Sequence, residues 1–153
     1  SILLHSKSEL STEIITKVFA SLYKHHDGLR MTYRSDDSGV WQQFNTGYSE
    51  AKSSSIVEEY DLRGQQESEL DLLSSYGTSL QSSIDLSEGP LIKVGHYHMS
   101  DGDYLLVAIH HLVIDGVSWR ILFEDIATLY GGYLSGTSVS LPEKTDSFKY
   151  WMD

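Results

Sequence analysis

The chain has 153 residues, enough for one domain with a buried core or for half of a larger domain, and its composition is typical of a globular protein. Its net charge of −11 repels nucleic-acid phosphates and anionic lipids, so we expect neither nucleic acid nor a membrane as partner. The absence of cysteine excludes disulfides and thiolate chemistry and fits a reducing cytoplasm, where we expect the protein to be located.

The first half of the chain predicts strands around one amphipathic helix. The elements expected there are a strand at 2–6, a helix from Ser11 or Thr12 to about His25–His26, strands at 29–33 and 40–44, and a polar surface loop with short structure at 45–66. Apolar residues in the helix recur at i, i+3, i+4 and i+7, as expected of a helix with one buried face. Because the chain begins at Ser1 and enters a strand almost at once, we expect it to be part of a longer protein.

The second half predicts a helix, a β-hairpin and another helix. The elements expected there are a helix from Glu67 to Ile84, strands at 91–99 and 104–112 joined by a turn at Asp101-Gly102, a helix from about Ser118 that Gly131-Gly132 loosens, and a last helix starting near Asp146. Strands and helices are interleaved, so the predicted fold class is α/β (α+β), with a mixed sheet and helices packed on it.

The stretch HHLVIDGVSWR, at 110–120, carries the strongest indication of chemistry. Side chains alternate along a strand, so we expect His111 to face a cleft and His110 to pack inward. Gly116 permits a sharp turn out of the strand, and Asp115 can fix its geometry. Amides at the start of the next helix, near Val117 and Ser118, could then stabilise negative charge that develops on a carbonyl beside an imidazole base.

Other interpretations of the histidines remain open at this point. His110 and His111 could be strand-end residues that bond only to the backbone. His25 and His26 lie at a predicted helix end, which favours a structural role. A metal site formed by His96 and His98 with one of the motif histidines is geometrically possible, although we expect no metal. No nucleophile turn of the G-x-S-x-G type is present, and Ser118 is better explained as a helix N-cap.

HHLVIDG resembles the HHxxxDG signature of the condensation superfamily of nonribosomal peptide synthetases, and DGVSWRIL resembles its epimerization branch. Three further stretches are similar to that family: HHDGLRM at 25–31, DLSEGPLIKVG at 85–95 and LPEKTDSFKYW at 141–151. The resemblance implies a chloramphenicol-acetyltransferase-like two-layer sandwich. It also implies that 1–153 is the N-terminal half of an epimerization or condensation-type domain whose C-terminal half is absent from this chain.

The resemblance also implies roles for individual residues. His111 would be the catalytic acid/base, His110 and Gly116 would shape the motif, and Asp115 would pair with Arg30. The activity implied is L-to-D epimerization at the α-carbon of an aminoacyl or peptidyl thioester, an isomerase reaction. Epimerization domains carry a glutamate in their second half as the opposite acid/base, so we expect this chain to be incomplete alone.

The implied partners are a peptidyl carrier protein domain, the C-terminal half of the same domain and adjacent synthetase domains. The domain would need no cofactor of its own, since the substrate arrives on the phosphopantetheine arm of the carrier protein. Two alternatives remain: a condensation domain that forms amide bonds, and a non-catalytic module that docks carrier proteins.

Overall fold

A four-stranded mixed sheet lies at the centre of the molecule, in a computed structural model that describes residues 1–146 and Tyr150. The elements in chain order are β1 Ile2–Ser6, α1 Thr12–His25, a 3₁₀ turn Asp27–Arg30, β2 Met31–Ser35, β3 Trp41–Asn45, α2 Glu50–Ser54, β4 Val57–Asp61, α3 Glu69–Ser82, β5 Ile92–Met99, β6 Gly102–Ile109 and α4 Gly116–Ser135. The central sheet has the order β1-β6-β5-β4, with β4 parallel to β5 and the other pairs antiparallel. Strands β2 and β3 form a separate antiparallel hairpin.

Helices cover both faces of the central sheet. The first face packs against α1 and α4, which also contact each other, and the second face packs against α3. Buried side chains on the first face include Ile15, Phe19, Leu22, Val94, Val107 and Leu122, and those on the second include Leu73, Leu80, Tyr97, Met99 and Leu106. The expected mixed sheet with packed helices is confirmed, but α3 adds a third layer that a two-layer sandwich would lack.

The predicted helix and hairpin signals correspond closely to the observed elements. Helix α1 begins where Ser11 Oγ accepts a hydrogen bond from the Ile14 amide at 3.3 Å, and it ends at His25. Strands β5 and β6 pair along eight residues each, from Ile92↔Ile109 to Met99↔Gly102. The chain turns at the predicted Asp101-Gly102 corner, so the hairpin prediction is confirmed.

Residues 45–66 were expected to be a surface loop with short structure, and that structure joins the central sheet. They contain the short helix α2 and the edge strand β4, whose sequence VEEYD has no alternating apolar pattern. An edge strand needs a partner on one side only, and β4 pairs in parallel with β5 after the crossover through α3. Parallel pairing of this kind depends on distant residues, so local sequence gave no signal for it.

Two boundaries also differ from prediction for a local reason. Strand β2 starts at Met31 rather than Leu29, because Asp27–Arg30 first forms a 3₁₀ turn. Strand β6 ends at Ile109 rather than Leu112, because the chain turns at the histidine pair. The helix predicted to start near Asp146 falls mainly on residues outside the described part of the chain. Within the described part, no helix has both the length and the apolarity needed to cross a bilayer.

The two adjacent glycines of α4 have opposite surroundings. Helix α4 continues through both to Ser135 and ends at Gly136, whose φ of 68° is left-handed, so the glycine pair does not loosen it. A Cβ added at Gly131 would meet no atom within 4 Å, whereas one added at Gly132 would overlap the side chain of Val139. Gly132 therefore lets the chain beyond the helix pack closely against it.

We expect Gly131→Ala and Gly132→Ala to change stability in opposite directions. Gly131→Ala should raise the free energy of unfolding by about 0.5–1 kcal/mol, because alanine restricts the unfolded chain and favours the helix. Gly132→Ala should lower it by about 1–3 kcal/mol through overpacking against Val139. Urea unfolding of the two variants measures both effects. Equal stability of the two variants would show that Val139 does not pack on α4 as described.

Candidate active site

The histidine pair follows directly after β6 and forms a turn rather than the last residues of a strand. The amide of His110 donates to the Leu91 carbonyl at 2.9 Å, which adds one bond beyond the β5–β6 ladder. Its carbonyl accepts from the Val113 amide at 3.1 Å, and its Nδ1 accepts from the Leu112 amide at 3.2 Å. With three local hydrogen bonds, His110 shapes the turn.

His111 is exposed and lies beside an open cleft of about 400 Å³. The lining of this cleft includes Gln81, Ile84, His110 and His111. His111 therefore lies where we expected it, with a route to solvent. The expectation that His110 packs inward is wrong, because His110 is half-buried and lines the same cleft. Strand alternation does not govern the pair, since the strand has already ended.

Asp115 is the N-cap of α4, the role that the sequence suggested for Ser118. Its Oδ1 accepts hydrogen bonds from the amide and the hydroxyl of Ser118, both at 2.7 Å. These bonds hold the pKa of the Asp115 carboxyl below its usual value. The amide of Ser118 is thus occupied, so it cannot serve as the expected oxyanion donor in this arrangement. Gly116 and Val117 are exposed at the same helix end.

The expected pair between Arg30 and Asp115 is wrong for this structure. The guanidinium of Arg30 pairs with the carboxylate of Asp27 and donates to the carbonyls of Tyr23 and Lys24 at 2.7 and 2.6 Å. Asp27 is only three residues away across the 3₁₀ turn, and Asp115 already has Ser118 as a partner. Local partners therefore satisfy both members of the expected pair.

The segment that contains Arg30 nevertheless lies against the histidine turn. A Cβ at Gly28 would be 3.8 Å from the Val113 carbonyl, which is ordinary contact distance. The hydroxyl of Tyr33 donates to the Leu112 carbonyl at 3.4 Å. The sequence suggested that this segment and the motif are close, and the structure brings them together through Gly28 and Tyr33.

Because Asp115 acts here as a cap, its removal should have a modest effect. We expect Asp115→Ala to lower Tm by about 2–4 °C, because Ser118 loses the acceptor of its amide. Asp115→Asn, which keeps an oxygen acceptor, should recover most of that loss. Differential scanning calorimetry checks both values. A collapse of the fold on Asp115→Ala would instead indicate that this carboxylate neutralises a buried cation.

The His25–His26 pair has the structural surroundings that its helix-end position indicated. His26 is the C-cap of α1, and its Nε2 lies 2.6 Å from Oδ2 of Asp125, whose side chain is buried in α4. This contact joins the two helices of the first face. The sequence reasoning missed Asp125, although its position three residues after Leu122 and four before Leu129 places it on the buried face of α4.

His96 and His98 do share one face of β5, with ring centroids 4.3 Å apart. They cannot meet either motif histidine, because His98 pairs in register with Asp103 at the start of β6 whereas the motif follows its end. Five residues of strand separate the level of His96 from His110 and seven separate that of His98, which is about 17 and 23 Å. The expected alternative of a three-histidine metal site is therefore wrong.

A buried polar cluster surrounds His96 and His98 instead. Its contacts are His96 Nε2 to Asp103 Oδ2 at 2.8 Å, His98 Nδ1 to Asp103 Oδ1 at 2.9 Å, His98 Nε2 to Glu59 Oε1 at 2.7 Å, His96 Nδ1 to Thr12 Oγ1 at 2.8 Å and the Leu10 amide to Asp103 Oδ2 at 2.7 Å. Burial alone would raise the pKa of Asp103, but the Leu10 amide and both imidazoles hold it below its usual value. Burial alone would lower the pKa of His98, but Glu59 and Asp103 raise it above its usual value.

Comparisons with known proteins identify the relatives of this chain. The family model described as Condensation domain matches residues 1–153. Tyrocidine synthase 2 of Brevibacillus parabrevis is 45% identical over 138 residues, which are 90% of this chain and 4% of that protein. Surfactin synthase subunit 1 of Bacillus subtilis (strain 168) is 45% identical over 148 residues, which are 97% of this chain and 4% of that protein. The chain thus spans a small fraction of these relatives.

Solved structures give the same fold. The crystal structure of the epimerization domain from the third module of tyrocidine synthetase B superposes with a TM-score of 0.88 at 43% identity, covering 98% of this chain and 33% of that one. The first condensation domain of the CDA synthetase superposes with a TM-score of 0.74 at 17% identity, covering 91% of this chain and 35% of that one. The chloramphenicol-acetyltransferase-like fold expected from the sequence is confirmed.

Proposed function

Because this chain belongs to the Condensation domain family of nonribosomal peptide synthetases, we propose that it is the N-terminal half of an epimerization domain. The domain converts the α-carbon of a carrier-bound aminoacyl or peptidyl thioester from L to D. The substrate hangs on the phosphopantetheine arm of a peptidyl carrier protein, and the domain needs no cofactor of its own. The carrier domain, the second half of the domain and adjacent synthetase domains are its partners.

One observation carries the choice of epimerization over condensation. The chain shares 43% of its residues with a solved epimerization domain, at a TM-score of 0.88, and only 17% with a solved condensation domain. The 17% identity with the condensation domain reflects the common fold alone. The sequence DGVSWRIL after the histidine pair supports the same choice, since it resembles the epimerization branch.

The position of His111 supports a role as acid/base. Its imidazole is exposed beside the cleft, while the bonds of His110 hold the turn that presents it. A thioester acidifies the α-proton, and an imidazole within hydrogen-bond reach of that proton can remove it. The enolate that forms needs hydrogen-bond donors. The amide of Ser118 is bonded to Asp115, so these donors must include other groups.

Inversion needs a second acid/base on the opposite face of the α-carbon. One imidazole cannot easily remove a proton from one face and return another to the opposite face. Among the described residues, His26 is already bonded to Asp125, and His96 and His98 lie at the far end of the β-hairpin, so neither pair is an evident second acid/base. The second group is therefore expected from the C-terminal half, and residues 1–153 alone should not invert a substrate at a useful rate.

The proposal is tested with a carrier protein loaded with an aminoacyl thioester in deuterated water. The complete domain should introduce deuterium at the α-carbon and produce both enantiomers, whereas a condensation domain should do neither and should form an amide with an acceptor. Scoring deuterium and chirality separately distinguishes proton removal from inversion. Amide formation without exchange would replace epimerization by condensation, the alternative that the family name favours. Carrier binding with neither reaction would favour a docking module.

A further inference from the structure

We infer that Glu59, His96 and His98 form a binding site for one divalent transition-metal ion, with zinc as the best-matched ion. The site lies at the far end of the hairpin from the HHLVIDG turn and is independent of the proposed epimerization. Each residue offers one ligand atom, and the three atoms lie within 4.8 Å of one another. Two imidazole nitrogens and one carboxylate oxygen are a donor set that zinc commonly takes in proteins.

Three strands and one helix build this site. Glu59 comes from β4 and both histidines from β5, and Glu59 pairs in register with His96. Asp103 lies behind the rings on β6, and Thr12 lies beside them at the start of α1. The side chains of His96 and His98 are 0% and 8% exposed, whereas that of Glu59 is 49% exposed. The histidines are thus held rigidly, and the side of Glu59 gives access from solvent.

Asp103 orients both rings in the way that metal-binding histidines require. Its two oxygens face Nε2 of His96 and Nδ1 of His98, at 2.8 and 2.9 Å. A carboxylate only accepts hydrogen bonds, so each ring directs an N–H at Asp103. The nitrogens left for a ligand are Nδ1 of His96 and Nε2 of His98, both on the side of Glu59 and Thr12. A carboxylate behind metal-binding imidazoles is the usual second layer of such sites.

The contact between His98 and Glu59 requires a cation. Glu59 Oε1 lies 2.7 Å from His98 Nε2, and both atoms carry lone pairs once His98 has directed its other N–H at Asp103. The lone pairs on the Glu59 oxygen and the His98 nitrogen repel each other, and a positive charge between or on these two groups removes that repulsion. A proton on the ring can supply it, and so can a metal ion bound to Glu59, His98 and His96 together. A metal ion would be bound by all three side chains, whereas a proton on His98 is shared only between His98 and Glu59.

The contact between Glu59 and His98 needs only a small adjustment to hold zinc. Bonds of about 2.0–2.1 Å in a tetrahedral site separate the ligand atoms by about 3.3 Å. Glu59 must therefore retreat from His98 by about half an ångström, which its half-exposed side chain permits. The hydroxyl of Thr12, now 2.8 Å from His96 Nδ1, or a water molecule would be the fourth ligand. The bound ion would tie the edge strand β4 to β5.

Zinc titration of the purified protein, first freed of metal by chelation, tests the inference. Isothermal titration calorimetry should detect one Zn²⁺ ion bound per chain at this site, and Co²⁺ in its place should give the visible absorption of a tetrahedral complex. Glu59→Gln, which keeps the size of the side chain but removes the anionic ligand, should weaken this binding at least tenfold. Glu58→Gln is the matched control, because Glu58 is its neighbour on β4 and contacts the hydroxyl of Tyr60.

Exposed histidines elsewhere can bind zinc, so the comparison between the two glutamine variants decides the result. A weaker site in Glu59→Gln with an unchanged site in Glu58→Gln supports the inference, provided that circular dichroism shows both variants folded. Equal zinc binding by both variants, or no binding at millimolar Zn²⁺, overturns it. A rise in Tm with Zn²⁺ that is lost in Glu59→Gln is the second supporting readout. None of these outcomes depends on epimerase activity.

Discussion

Replacement of His111 by alanine in the complete domain should reduce α-proton exchange by about 10²–10⁴-fold and abolish inversion. The imidazole of His111 is exposed beside the cleft, and the turn around it is held by His110 rather than by His111 itself. The variant should therefore fold normally, with unchanged Tm. Deuterium uptake at the α-carbon of a carrier-bound substrate measures exchange, and chiral chromatography of the released amino acid measures inversion.

A histidine at the opposite end of the sheet provides the control. His5 pairs in register with Tyr104 and stacks on its ring, at the end of β6 away from the motif. His5→Ala should leave exchange and inversion close to their original rates. His110→Ala should lower both activity and Tm, because it removes the acceptor of the Leu112 amide. Retention of full exchange by His111→Ala would assign the base to another residue.

Replacement of Asp103 by alanine should lower the free energy of unfolding by about 3–5 kcal/mol, the largest stability loss that we expect from a single substitution here. The Asp103 side chain is 3% exposed and is the shared partner of His96, His98 and the Leu10 amide. Its removal leaves two imidazoles and one amide without their acceptor inside the protein. Urea unfolding followed by circular dichroism measures the loss.

Two further variants separate the buried cluster from a general effect of charge. Asp103→Asn keeps one oxygen acceptor and should recover part of the lost stability. Asp37→Ala removes the same charge from an exposed turn and should change the free energy of unfolding by less than about 0.5 kcal/mol. If Asp103→Ala were as stable as Asp37→Ala, the cluster would contribute little to the fold.

The elements that the sequence predicted well are those stabilised by local patterns. Helix α1 shows an apolar face every three to four residues and begins at a serine cap, and the β5–β6 hairpin combines two apolar runs with an Asp-Gly turn. Each of these signals acts over a few residues. The strand β4 depends on a partner more than thirty residues away, and its sequence VEEYD resembles that of a polar loop.

In the candidate site too, local patterns predicted some features, whereas features that depend on distant residues were missed. The sequence predicted that His111 lies at the end of the hairpin, and it predicted that the segment around Arg30 lies close to the motif. Both predictions agree with the structure. The predicted partner of Asp115 was wrong because either Arg30 or Ser118 could satisfy its carboxylate, and Ser118 is only three residues away. Sequence reasoning missed the cluster around Asp103 because its five side chains come from four different elements, and only their packing shows that they meet.

The pairing of β1 with β6 imposes an order on folding. Every residue of β1 is about 100 positions from its partner, from Ile2↔Val107 to Ser6↔Asp103, whereas β5 and β6 are joined by a tight turn. Closing a loop of that length costs entropy that the short hairpin avoids, so the hairpin can form first and β1 joins late. At about 5–20 residues per second, a ribosome releases β1 some 5–20 s before β6 is made. The apolar Ile2–Leu4 segment has no strand partner during that interval, so its side chains stay exposed to solvent until β6 is complete.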